Sequence, residues 1–124
     1  MANSIEIKIG VDSAEFTKGL RKLDKEINAT QKNAEALEKS LQVEFDADRA
    51  VKAQEQFQKA LELTEQKAEA IRQQLKHLEE AGKIDTADYQ KLQTELIKAE
   101  TKAISLKDKL EQVKKVEIEQ LAKK

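Results

Sequence analysis

Two runs of apolar residues with heptad spacing lie on either side of Gly82, and they constrain the fold more than any other feature. In both runs the residues are spaced alternately three and four apart, which is typical of helices that pack along a coiled-coil seam. The first run is Phe57, Leu61, Thr64, Ala68, Ile71, Leu75 and Leu78, and the second is Tyr89, Leu92, Leu96, Ala99, Ala103, Leu106 and Leu110. We therefore expect two long amphipathic helices joined by a short turn.

The side-chain sizes of the two runs match when the chain reverses between them. Leu75 then faces Leu92, and Ala68 faces Ala99. A short connection makes consecutive helices antiparallel neighbours, so the sequence predicts a helical hairpin whose narrowest point is the alanine layer. Ala70 lies off this seam, and we expect it to be exposed.

The composition supports long helices. The chain has 124 residues with no proline, three glycines and 38% charged residues, which is typical of coiled coils. Disorder is the alternative for so charged a chain, but the charges balance and the apolar residues recur regularly. The predicted fold class is mainly α, with the hairpin helices at about 48–81 and 86–121 and a first helix at about 13–41.

The N-terminal residues predict a short β-strand at about 4–11. Ile5, Ile7, Ile9 and Val11 alternate with polar residues and glycine, a period of two that is typical of a strand with one buried face. A lone strand is not stable, so it needs a partner from residues 41–45 of this chain or from another copy. We divide the chain into this strand (1–12), the first helix with an acidic turn (13–47) and the hairpin (48–124), all within one elongated domain.

The third helix carries a second apolar line. Ile97 and Ile104 are seven residues apart and lie off the main seam. Either the first helix or a neighbouring copy should dock there, because exposed isoleucines at heptad spacing favour a partner helix. With Ile5, Ile7, Ile9 and Val11 of the strand, these two residues form the candidate protein interface.

The sequence offers no candidate for catalysis, cofactor binding or metal binding. His77 is the single histidine, there is no cysteine, and neither a catalytic triad nor a metal site forms without convergent partners. Asp46 and Asp48 are explained by helix capping. The 23 basic and 24 acidic residues leave no basic surface for nucleic acid, and no stretch is long and apolar enough for a membrane span. We therefore expect a protein that binds other proteins and is not an enzyme.

One segment resembles a known family. The alternating run 5–9, followed by Val11-Asp12 and the helical stretch Phe16-Thr17-Lys18-Gly19-Leu20-Arg21-Lys22-Leu23, is similar to the beginning of tail tape measure proteins of tailed phages and prophages. The stretch 41–46 and, after it, residues 54–57, Leu61 and residues 64–67 resemble the next portion of that family. The resemblance covers about the first two thirds of the chain.

This resemblance implies a structural role in phage tail assembly. Such a protein occupies the tail lumen, helps to set tube length, and contacts itself, the tail tube, the tail tip or assembly chaperones. A homo-oligomer is expected, located in the host cytoplasm during assembly and then in the virion tail. A helix of this size reaches only about 190 Å, so we expect a fragment or truncated product of a tape measure protein.

A second function class stays open. The same hairpin suits a cellular coiled-coil adaptor or a chaperone-like protein that grips clients with its exposed tips. The assembly role predicts oligomers, whereas the adaptor role predicts a monomer or small dimer.

Overall fold

The structure is a computed structural model that describes residues 7–123. It contains three α-helices, α1 (Ser13–Val43), α2 (Ala47–Glu80) and α3 (Ala87–Ala122). Their ends lie within two residues of the bounds predicted from the sequence. The arrangement resembles a three-helix bundle.

Each helix begins at a polar N-cap. The side chains of Asp12, Asp46 and Thr86 accept hydrogen bonds from the backbone N–H groups of Glu15, Arg49 and Tyr89, respectively. Such a bond satisfies one of the free donors in the first helical turn and is worth about 1 kcal/mol. Local sequence therefore fixes where the helices start.

The turn between α2 and α3 forms at Gly82. Gly82 has a φ of 73°, the left-handed conformation that glycine adopts without steric cost. The N–H of Lys83 donates to the carbonyl of Leu78 at 2.8 Å, and that of Gly82 donates to the carbonyl of Glu79 at 3.1 Å. These bonds end α2 and reverse the chain.

The predicted strand at about 4–11 is wrong, and the fold class is corrected from mainly α with a short strand to all-helical. No β-strand occurs in residues 7–123, and the chain bends at residues 9–11 before α1 begins. The proposed partner strand does not exist, because α1 continues through Leu41 to Val43. Residues 4–6 lie outside the described residues.

α2 is the middle helix, with α1 and α3 packed antiparallel along it. A line at heptad spacing that the seam prediction did not include is buried as a result: Ala53, Ala60, Lys67 and Gln74. The α1 and α3 helices meet mainly through long side chains, such as Lys102 to Asn28 at 3.1 Å and Lys109 to Glu38 at 3.3 Å. The prediction left open where the first helix packs, and the structure places it on α2 of the same chain.

The core consists of two apolar clusters at opposite ends of the helices. One includes Leu41, Phe57 and Leu110, and the other, nearer the turn, includes Phe16, Ile71 and Leu92. The polar residues Thr30, Thr64 and Lys67 are buried along the helices between these clusters. The middle of the bundle therefore contains buried polar side chains beside apolar ones such as Leu23 and Ile27.

Candidate interaction surfaces

The predicted hairpin seam lies in the interior of the molecule. Of its fourteen residues, Leu78, Tyr89, Leu96 and Ala103 are half-buried; the buried ones are Phe57, Leu61, Thr64, Ala68, Ile71, Leu75, Leu92, Ala99, Leu106 and Leu110. The seam is thus occupied by the chain's own packing and offers no binding surface.

Polar bonds at both ends of the hairpin show the helix register. Near the turn, the Tyr89 hydroxyl donates to the Glu79 carboxylate, and at the far end the Gln54 amide donates to Glu117 at 2.8 Å. Leu75 and Leu92 belong to one core cluster. The two helices therefore pair along their full length.

The expectation that Ala70 is exposed is wrong. Ala70 is 8% exposed and belongs to the core cluster near the turn. That cluster also receives side chains from the N-terminal segment, which the seam argument did not place beside α2. Burial on this side of α2 depends on a partner far away in sequence.

The N-terminal part of the candidate interface packs against the chain itself. Ile7, Ile9 and Val11 are half-buried against the core cluster near the turn. Ile5 lies outside the described residues. These described side chains contribute to the fold and do not form a free apolar surface.

Ile97 and Ile104, in contrast, are exposed on α3. Their relative exposures are 64% and 65%, and Ile118, two heptads beyond Ile104, is 69% exposed. At 3.6 residues per turn, this side of α3 lies opposite Lys102 and Lys109, the residues that reach α1. Sequence reasoning missed Ile118, although its 14-residue spacing from Ile104 was a usable signal. We call Ile97, Ile104 and Ile118 the outer line of α3.

A crevice of about 450 Å³ separates α1 from α3 at the end near the turn. Phe16, Leu20 and Leu92 supply its apolar lining, and Asp24 and Glu95 are among its charged lining residues. Both carboxylates bind the Lys67 ammonium, at 2.7 Å and 3.4 Å respectively. Through Lys67, these two carboxylates join the three helices.

No buried side-chain polar atom of the described residues lacks a hydrogen-bond partner. Every buried side-chain nitrogen and oxygen in residues 7–123 has a hydrogen-bond partner, and no group of three or more metal-ligating side chains forms there. His77 is exposed and lies beside Gly10. None of the helices in the described part is long and apolar enough to cross a bilayer.

Two surface contacts shift a pKa. The hydrogen bond to the Glu100 carboxylate raises the pKa of Arg72 above its ordinary value, and the bond to Glu79 raises the pKa of Tyr89. In both cases a negative charge favours the protonated partner. Both pairs link α2 to α3, so they support the hairpin and do not indicate catalysis.

Comparison with protein-family models, with curated protein sequences and with solved structures finds no match to this chain.

Proposed function

We propose that this protein is a structural assembly module that binds a second copy of itself through the outer line of α3. The single observation that carries the proposal is the exposure of Ile97, Ile104 and Ile118 at heptad-related spacing on one face. Ile97 and Ile104 are one heptad apart, and Ile118 follows two heptads later with exposed Glu111 at the position between. Isoleucines at heptad spacing pack against another helix, and an identical α3 supplies a matching set.

The energetics favour such a contact. Burying one isoleucine side chain contributes about 1.5–3 kcal/mol, so two or three per subunit can offset much of the cost of association. The line from Ile97 to Ile118 extends over about 30 Å of helix at 1.5 Å per residue. This length suits a helix–helix interface.

Within this role, we propose that the chain is a segment of a phage tail tape measure protein. The support is the resemblance of the stretch from Ile5 to Leu23, together with the three long helices of the molecule. The partners would then include tail tube, tail tip and assembly chaperones, first in the host cytoplasm and later in the virion tail. A position of the gene among tail tube and baseplate genes would support this assignment, and a position outside any phage or prophage region would contradict it.

One observation favours the alternative, an adaptor or chaperone-like hairpin. Ile84 is 51% exposed in the turn between α2 and α3, at the tip of the hairpin. An apolar residue at an exposed tip could contact a client protein.

Sizing with light scattering on three variants tests the proposal. Ile97→Lys/Ile104→Lys places charges in the outer line and should weaken self-association at least about a hundred-fold, because two buried isoleucines are lost from each subunit. Val43→Lys/Val51→Lys changes two exposed valines on α1 and α2 and is the matched control.

Three outcomes are informative. An oligomer that dissociates only in the outer-line variant supports the proposal. A wild-type chain that is monomeric at every concentration contradicts it. Client binding by such a monomer that is lost in Ile84→Lys supports the adaptor role.

A further inference from the structure

A single charged residue interrupts the outer line of α3. Ile97 and Ile104 are followed at the next heptad position by exposed Glu111, and Ile118 comes one heptad later. Within residues 7–123, no ion pair or side-chain hydrogen bond of the fold involves Glu111. If a second α3 packs on the outer line, its direction therefore decides which residue Glu111 meets.

A parallel pair of α3 helices in register places each residue of the line beside its own copy. Ile104 and Ile118 then meet isoleucines, but Glu111 meets Glu111 of the second copy between these two apolar layers. Like charges that face each other repel, and the repulsion grows where the surrounding side chains exclude water. The parallel direction is therefore opposed by a charge in the middle of the contact.

An antiparallel pair centred between residues 107 and 108 separates the two copies of Glu111. Ile97 then lies level with Ile118 of the second copy at both ends of the contact, so the isoleucines still meet. Glu111 lies level with Ile104 of the second copy and about one helical turn from the second copy's Lys107. The carboxylate thus has a lysine nearby in place of a second carboxylate.

The charges beside the outer line favour the same direction. Glu100 and Lys114 each follow a position of the line by three residues, so they lie on one edge of it. Like edges of two identical helices meet in an antiparallel pair, where Glu100 lies beside Lys114 of the second copy. In a parallel pair, Lys114 lies beside Lys115 of the second copy instead. The adjacent Lys107 and Asp108 at the centre bring opposite charges in either direction.

Glu100 can accept such a contact although it already has a partner in its own chain. Its carboxylate binds Arg72 at 2.9 Å, but Arg72 also binds Glu69 at 3.3 Å, so the three groups together carry one negative charge. The side chain of Glu100 is 47% exposed, and Lys114 is exposed as well. A lysine that approaches from a second copy therefore meets an excess of negative charge.

We propose that two copies pair through antiparallel α3 helices, about a two-fold axis between residues 107 and 108, and that Glu111 sets this direction. The inference rests on the proposed self-association and adds the orientation of the partner. A two-fold contact of identical surfaces closes after two copies, so it gives a dimer whose two Gly82 turns lie at opposite ends.

Distances between spin labels in the full chain test the direction. The chain contains no cysteine, so each label attaches to one introduced residue. A label on Thr94→Cys lies level with residue 121 of the second copy in the antiparallel pair, so the two labels are about 40 Å apart along the helices. In a parallel pair they lie within about 20 Å, the width of two helices. Ser105→Cys, near the proposed axis, is the control, and its labels lie close together in either direction.

The two labels separate failure of the direction from failure of the self-association. We expect a distance of about 40 Å at Thr94→Cys and a short distance at Ser105→Cys. Short distances at both positions overturn the antiparallel direction and leave the self-association in place. The absence of any distance between copies at both positions overturns the self-association, and the direction with it.

Glu111→Ile tests the role of Glu111. The variant completes the line of isoleucines and removes the repulsion in the parallel pair, so a short distance should appear at the Thr94→Cys label in addition to the long one. Glu119→Ile adds the same side chain at an exposed position outside the line and should leave only the long distance. If Glu111→Ile also shows only the long distance, Glu111 does not set the direction.

Discussion

Gln74 and Lys67 are polar residues on a line of α2 that otherwise contains buried alanines. Each is tolerated because its polar atoms are bound: Gln74 to the backbone of Gly10 and Val11, and Lys67 to carboxylates on α1 and α3. A buried polar group without such partners would cost about 1–3 kcal/mol. These two residues therefore determine which neighbours fit against α2.

Tyr89 gives a pH-dependent prediction at the scale of one residue. Its bond to Glu79 raises its pKa above the ordinary value of 10.0. A raised pKa in the folded state means that the contact stabilises the protein fully below pH 10.0 and is lost as the pH rises through the folded pKa. Absorbance titration of the phenolate should give a higher pKa for the wild type than for Glu79→Ala.

Glu80→Ala is the matched control for this titration. Glu80 is exposed like Glu79, but the Tyr89 hydroxyl donates its hydrogen bond to Glu79. It should leave the Tyr89 pKa close to the wild-type value. Equal Tyr89 pKa values in the wild type and Glu79→Ala would show that the bond is absent in solution.

At the scale of the element, α2 differs from its neighbours because it is buried on two sides. Its face toward α3 carries the predicted seam, and its face toward α1 carries Ala53, Ala60 and Gln74. Small residues allow α1 to approach closely along this second face. The alanines of α2 are therefore packing residues as well as helix formers.

The alanine layer gives the element-scale prediction. Ala68→Leu should destabilise the protein by about 1–3 kcal/mol in denaturant unfolding, because the added carbons overpack the contact between α2 and α3. Ala70→Leu should also be destabilising, since Ala70 is buried in the core cluster near the turn. Ala29→Leu, at an exposed position of α1, is the control and should change stability little. Equal effects of the Ala68 and Ala29 changes would contradict the helix register.

At the scale of the whole molecule, charged and polar side chains join α1 to α3 at several points along the helices. Lys67 reaches from α2 to both flanking helices, and Lys102 and Lys109 reach from α3 to α1. Partly exposed ion pairs contribute little to stability, but they fix relative positions. The relative position of α1 and α3 therefore depends on these contacts as well as on the apolar side chains that both helices contribute to the two core clusters.

Lys67→Met tests this dependence. We expect a loss of only about 1 kcal/mol of unfolding free energy, because methionine keeps the packing and Asp24 and Glu95 retain access to water. Spin labels at exposed Ala29 on α1 and Thr101 on α3 should show a broader distance distribution in the variant. Lys59→Met, which removes a 3.7 Å surface pair with Glu26, is the control and should leave the distribution narrow. An unchanged distribution in Lys67→Met would contradict a positioning role for Lys67.

The sequence by itself determined the three helices, their ends and the turn at Gly82. These features depend on local chemistry: heptad periodicity, polar N-caps and a glycine in the left-handed conformation. It also revealed Ile97 and Ile104 as a second apolar line, because helix geometry alone separates them from the seam.

Only the tertiary structure decided the conformation of the N-terminal segment and the burial of the second face of α2. Alternation at Ile7, Ile9 and Val11 predicts a strand, but a strand forms only where another strand pairs with it, and here the side chain of Gln74 supplies the hydrogen bonds. The burial of Ala70, Lys67 and Gln74 likewise depends on which segments pack beside α2. Lys67 and Gln74 are polar, so the apolar periodicity of the sequence does not mark them as buried.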